Sequence, residues 1–165
     1  MATRKDDLYR RDFYAWTREQ AAALRRLAES RPNVGLDAEN LIEEVEALGR
    51  TERRAVMSQL RRLLVHLLKL EHSPRWEPRR GWLLTVRDAR AEALDALTPT
   101  MHHEIEADLP SLYADARYLA QQQLARHRET DAARTLPPAC PYTLDQILDR
   151  EWLPTNRHGL TDEPL

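Results

Sequence analysis

The sequence predicts an all-α protein, an up-and-down four-helix bundle with a long second helix and a short C-terminal helical clasp. Charged residues make up 32% of the 165 residues and glycines number only four, and the abundant residues lose little side-chain freedom in a helix. Residues that pack well in strands are sparse. The strongest observation is a run of leucines with helical spacing between residues 37 and 70.

The first helix is predicted to begin after Asp12, whose side chain is a suitable N-cap, and to continue to about Ala28. Residues 31–33 end it because they contain a proline, which cannot continue the hydrogen-bond ladder.

The second helix begins after Asp37 and reaches Leu70, as one helix or as two joined at Gly49. The absent side chain of Gly49 would let a neighbouring helix approach closely. The apolar positions share an arc of about 120° on a helical wheel. They are Leu41, Ile42, Val45, Leu48, Val56, Leu60, Leu63, Leu67 and Leu70.

Three further helical segments follow. A third helix runs from about Gly81 to Leu97, and a fourth from about Met101 to Arg128, kinked or restarted at Pro110. A short helix covers residues 143–148, and the polar tail, residues 155–165, is expected to fray. Four main helices with short connections suggest an up-and-down bundle.

The composition also bounds the class of protein. Residues 1–154 are expected to form one domain. A single cysteine, Cys140, excludes an intramolecular disulfide. The chain has no apolar run long enough to cross a membrane and begins without the apolar core of a signal peptide. We therefore expect a cytoplasmic protein without a cofactor.

Charge is distributed unevenly along the chain. Residues 50–90 carry 11 Lys or Arg against four Asp or Glu, whereas residues 91–165 carry six against 13. The two segments can pair within the fold or across a homodimer, or the basic segment can bind nucleic acid.

Four strings along the chain resemble a known family: DFYAWT at 12–17, DAENLIEEVEALGR at 37–50, LVHLLK at 64–69 and CPYTL at 140–144. They occur in the order typical of the bacterial family of domain of unknown function 29, over about residues 8 to 154. The resemblance implies a mostly helical bundle. It implies no activity, substrate or cofactor, and it transfers no site residues.

Glu52 and His66 are the candidate catalytic residues. Glu52 falls inside the apolar arc, where an unpaired carboxylate would be costly. One interpretation is a polar pocket in which Glu52 binds a ligand or accepts a proton. The other is a salt bridge or an exposed edge position. His66 lies at the border of the arc, as a titrating group, a metal ligand or a satisfied border residue.

A metal site is the second possibility. Asp37, Glu44, His103 and Glu106 are the candidate ligands, since carboxylates one helical turn apart can hold a divalent cation when a facing helix adds His or Glu. The alternative for the carboxylates at 37–44 is capping and compensation of the helix dipole.

Nucleic-acid binding is the third possibility. It would use basic side chains that neutralise phosphates: Arg53, Arg54, Arg61, Arg79 and Arg80. No nucleic-acid-binding motif is recognisable in the chain.

These observations favour a protein–protein interaction module without catalytic activity, which binds a protein partner or itself. Two alternatives stay open. One is a metal-dependent or acid–base enzyme in the bundle core around Glu52, and the other is nucleic-acid binding through residues 50–90.

Overall fold

A computed structural model describes residues 4–30 and 35–161. These residues form helices and irregular connections without a strand, which confirms the all-α class. The up-and-down four-helix arrangement stays a prediction. The described helices are α1 Arg4–Arg11, α2 Phe13–Ser30, α3 Ala38–His72, α4 Arg79–Ala96, α5 Pro99–Arg126, α6 Thr130–Thr135 and α7 Leu144–Leu148. None of them is long and apolar enough to span a membrane.

Asp12 caps α2 as predicted, and its carboxylate also binds the start of α5. Asp12 Oδ1 accepts a hydrogen bond from Ala15 N at 2.9 Å, and Oδ2 accepts one from Thr100 N at 2.8 Å. Burial alone would raise the pKa of Asp12, but these bonds and those from the Thr98 and Thr100 side chains favour the charged form, so its pKa is lowered. The predicted end of the helix, residues 31–33, lies outside the described residues.

α3 continues through Gly49 as a single helix, so the alternative of two joined helices is wrong. Gly49 is buried against α2, where an added Cβ would overlap Thr17 Oγ1 and lie 3.4 Å from the Tyr14 ring. The glycine therefore permits a close approach at this point, as the sequence suggested.

α5 also continues through Pro110, so the predicted restart there does not occur. Proline removes one main-chain hydrogen bond, but Leu109 and Leu112 beside it are 9% and 4% exposed. Their burial holds the helix together across the missing bond. α6 is an additional helix that the sequence analysis did not predict.

The short terminal helix is confirmed as α7. Thr143 Oγ1 accepts a hydrogen bond from Gln146 N, and the Gln146 side chain accepts one from Thr143 N. This reciprocal capping box explains why so short a segment is helical.

The chain divides into two compact units. The first unit comprises the described residues up to 55 together with 96–104, and the second comprises 56–95 with 105–161. Both α3 and α5 supply residues to each unit. The second unit contains a leucine-rich core from the C-terminal half of α3, in which the following are fully buried: Leu60, Leu63, Leu64, Leu67, Leu68 and Leu70.

Candidate functional site

Glu52 is exposed, so the hypothesis of a buried polar pocket around it is wrong. The helical wheel counted Leu41 and Leu48 as core positions, yet these side chains are 41% and 51% exposed. α3 instead buries the side that carries Gly49 and Val56. The helical wheel was drawn from apolar side chains alone, so it did not count Gly49. The predicted buried side therefore lay too close to Glu52.

His66 is a half-buried border residue. Its Nδ1 donates a hydrogen bond of 2.8 Å to the carbonyl of Arg62 in the preceding turn. Burial lowers the pKa of His66; the bond to Arg62 opposes that shift, and the charges of Lys69 and Arg62 add to it. The geometry is that of a neutral histidine satisfied by its own helix.

The proposed metal ligands do not form a recognisable centre. Asp37 caps α3, since its Oδ1 accepts from Asn40 N at 3.3 Å and its Oδ2 from Asn40 Nδ2 at 2.6 Å. Glu44, His103 and Glu106 are exposed. Within residues 7–30 and 35–161, no three His, Cys, Asp or Glu side chains lie close enough to hold a metal ion. Helix capping is a sufficient account of Asp37.

The candidate phosphate-binding arginines have different environments. Arg79 is 2% exposed and donates a hydrogen bond of 2.9 Å to the Leu70 carbonyl, so its inclusion in a nucleic-acid surface is wrong. Arg53 is half-buried, with Nε 3.7 Å from Glu104 Oε2. The exposed members of the set are Arg54, Arg61 and Arg80.

Arg90, from the same basic segment, is also buried. Its guanidinium donates hydrogen bonds to the carbonyls of Ile147, Arg150 and Trp152, at 2.8, 3.3 and 3.1 Å. Burial lowers the pKa of Arg90, and Asp149 opposes the shift. A charged side chain is tolerated here because its donors are satisfied by carbonyls at the end of α7.

A polar cluster lies at the C-terminus of α3. Glu71 Oε2 accepts a hydrogen bond of 2.5 Å from Tyr142 Oη, and Oε1 accepts one of 3.0 Å from Arg157 Nε. Burial raises the pKa of Tyr142 well above its ordinary value, and the hydrogen bond to Glu71 and the charge of that residue raise it further. The Nε2 of buried His72 lies 3.5 Å from Glu71 Oε1 without a hydrogen bond. Sequence analysis missed this cluster because its members are far apart in the chain.

The tail does not fray over its described part, residues 155–161. Asn156 is 6% exposed, and its Nδ2 donates to the carbonyls of Leu70 and Ser73 at 2.7 and 3.0 Å. Arg157 N donates to the Glu71 carbonyl at 2.9 Å. Together with the hydrogen bond from Arg79 to the Leu70 carbonyl, these bonds satisfy carbonyls at and just after the end of α3. The cluster and the tail therefore form a structural cap.

Cys140 lines a cavity of about 410 Å³ in the second unit, together with Tyr113 and Tyr142. Its Sγ donates to the Tyr142 carbonyl at 3.3 Å. Burial raises the pKa of the Cys140 thiol, although the bond to Tyr142 opposes the shift. Because nucleophilic cysteines need a lowered pKa, Cys140 is better explained by packing.

The exposed side of α3 in the first unit carries an apolar stripe. Leu41, Leu48 and Ala55 are all exposed and follow one another at intervals of seven residues. That interval keeps them on one side of the helix, about 10 Å apart. We call these three residues the open face. Glu44 and Glu52, also exposed, lie one turn before and one turn after Leu48.

The opposite side of the same segment is fixed by contacts within the first unit. Glu104 accepts a hydrogen bond from Tyr14 Oη at 3.0 Å and pairs with Arg18 as well as with Arg53. Glu104 was not singled out from the sequence, because an isolated glutamate in a helix gives no signal of such a role. Among the residues that the structure describes, these contacts leave the open face as the exposed side of this part of α3.

Comparison with known proteins supports the predicted family. The family described as "Domain of unknown function DUF29" matches residues 8–153. The crystal structure of an α-helical protein of unknown function from Rhodospirillum rubrum is similar, with 28% sequence identity, a TM-score of 0.77, and coverage of 87% of this chain and 90% of that one. No curated protein matches the chain significantly. Neither description names an activity.

Proposed function

We propose that this chain, which belongs to the family of the domain of unknown function DUF29, acts by binding another protein through the open face of α3 rather than by catalysis. The observation that carries the proposal is the exposure of Leu41 and Leu48, at 41% and 51%, on one side of a helix whose other side is packed. Apolar side chains exposed along one side of a helix are a feature of interaction sites.

The candidate catalytic groups support the same conclusion. Glu52 is a solvated carboxylate beside the open face. His66 is satisfied within its own helix, and Cys140 has a raised pKa. Each of these groups is accounted for by its structural environment, whereas none of the contacts described above accounts for the exposed apolar stripe.

The leucines alone support only weak association. Fully burying an exposed leucine side chain contributes about 1.5–3 kcal/mol. Because Leu41 and Leu48 are only 41% and 51% exposed, covering both contributes about 1.5–3 kcal/mol in total. The loss of translational and rotational freedom on association exceeds that gain. Polar contacts at the rim of the face must therefore add to the affinity and determine which partner binds.

Site-specific photo-crosslinking in cells tests the proposal. A p-benzoyl-phenylalanine in place of Leu48 is expected to give discrete protein adducts, identified by mass spectrometry. The matched control carries the same probe at Tyr118, which is 62% exposed in the second unit, and is expected to give none. Adducts at Leu48 should disappear when Leu41→Asp is added. Equal labelling at the two positions, or no adduct at Leu48, would contradict the proposal.

A further inference from the structure

We propose that the occupant of the open face is a basic amphipathic helix of a partner protein, held by its apolar side and by Lys or Arg side chains that pair with Glu44 and Glu52. This inference rests on the proposed function and specifies the chemistry of the partner. It gives Glu52, the least expected residue of the apolar arc, a position at the rim of a binding surface.

The shape of the face favours a helix as the occupant. Leu41, Leu48 and Ala55 extend along about 21 Å of α3, since 14 residues rise about 1.5 Å each. A second helix laid alongside can match this spacing with an apolar side that repeats over two heptads, at positions i, i+3, i+7, i+10 and i+14. The smaller side chain of Ala55 allows such a helix to approach closely at one end.

The charges around the face select a basic partner. Glu44 and Glu52 lie about 40° to either side of Leu48 on the helical wheel, at 100° per residue. The arginines of this segment, Arg50, Arg53 and Arg54, lie more than about 100° from Leu48 by the same measure. The apolar stripe is therefore bordered on both sides by carboxylates, with no nearby cation on α3 to neutralise them.

Glu44 and Glu52 also disfavour the binding of a second copy of this chain through its own open face. In an antiparallel pair centred on Leu48, Glu44 of one copy lies level with Glu52 of the other, because both are four residues from the centre. In a parallel pair each glutamate meets its own equivalent. Both arrangements bring like charges together, which is unfavourable in a partly desolvated interface.

A pair of synthetic peptides tests the inference on the full-length protein. Each is about 20 residues long, sufficient to form helix, with identical leucines at i, i+3, i+7, i+10 and i+14. One carries Lys and the other Glu at the flanking positions. Binding is measured by fluorescence anisotropy at low and at high salt. The Lys peptide is expected to bind, with affinity that falls as salt increases, and the Glu peptide is expected not to bind.

Charge reversal provides the decisive variant. In the double variant Glu44→Lys with Glu52→Lys, the Lys peptide should bind about 10-fold more weakly and the Glu peptide should now bind. A change confined to folding cannot invert the preference in this way. Leu48→Asp in the parent protein should weaken binding of the Lys peptide at least about 10-fold. Leu119→Asp, at a residue 38% exposed in the second unit, should leave binding unchanged.

Three results would overturn the inference: equal binding of the two peptides, no binding of the Lys peptide, or a dimer of this chain that Leu48→Asp dissociates. These results are distinguishable from failure of the proposed function. If photo-crosslinking at Leu48 still gives specific protein adducts, the face is a binding site for a partner of different chemistry. If crosslinking also fails, the proposed function falls with the inference.

Discussion

The two units of this protein contain similar residue types but differ in where their apolar side chains lie. All but two of the buried apolar residues in the described chain belong to the second unit, the exceptions being Ala21 and Met101. The first unit instead combines polar contacts around Asp12 and Glu104 with an aromatic cluster of Tyr9, Phe13 and Trp16. The comparison shows that one helix can both form part of a core and expose an apolar surface. α3 supplies buried core residues in its C-terminal half and an exposed apolar stripe in its N-terminal half.

The largest effect is expected in the core of the second unit. Leu67 is fully buried, so Leu67→Ala should lower the free energy of unfolding by about 2–5 kcal/mol through lost burial and a cavity. Leu119→Ala, at an exposed leucine of the same unit, should change it by less than about 0.5 kcal/mol. Urea denaturation followed by circular dichroism measures both. If the two variants lost similar amounts of unfolding free energy, the difference in burial between Leu67 and Leu119 would not determine their contribution to stability.

The next effect concerns the buried arginine of the second unit. Arg90→Ala removes three hydrogen bonds to carbonyls near α7, and should lower the free energy of unfolding by about 2–3 kcal/mol because those carbonyls lose charged donors. Arg87→Ala, at an exposed position of the same helix, is the control and should be nearly neutral. If both variants were neutral in urea denaturation, Arg90 would have no structural role.

A smaller effect is expected at the close contact in the first unit. In Gly49→Ala, the added Cβ would overlap Thr17 Oγ1, and overpacking of this kind costs about 1–3 kcal/mol. The intrinsic helix preference of alanine returns about 1 kcal/mol, which leaves a net loss of up to about 2 kcal/mol. Gly81→Ala, where nothing lies within 4 Å, should instead be neutral or stabilising. Thermal unfolding of the two variants compares them directly.

Local features of the fold were predictable because their causes lie within a few residues. Asp12 and Asp37 cap helices as expected, since an N-cap bonds to backbone groups two or three residues away. The all-α class follows from composition for the same reason, because each residue's preference acts locally.

Features that depend on distant partners were not predictable. Arg90 looked like one more basic residue, yet it binds carbonyls about 60 residues away. Asn156 lay in a segment without any helical pattern, and its partners are at the end of α3. Glu52 was misplaced because the buried side of α3 is set by a glycine. In each case the interaction that determines the position of the side chain is tertiary, so it cannot be predicted from the periodicity of the sequence.

The smallest effect is a pH dependence from the cap of the second unit. Burial lowers the pKa of His72; Glu71 opposes the shift, and Arg157 and His158 add to it. Because the folded pKa lies below the ordinary value of 6.5, the unfolded chain binds more protons, and stability should fall as pH falls below 6.5. His72→Gln should reduce this slope in thermal unfolding, whereas His103→Gln, at an exposed histidine, should retain it. If the slope were unchanged in His72→Gln, His72 would not be the source of this pH dependence.

The most direct test of the central claim is the urea unfolding midpoint of Leu48→Asp. If the open face is a binding surface that the isolated chain does not need for folding, a charge at Leu48 should leave the free energy of unfolding within about 0.5 kcal/mol of the parent protein. A loss of several kcal/mol would show that Leu48 belongs to the core. The open face would then be no docking surface.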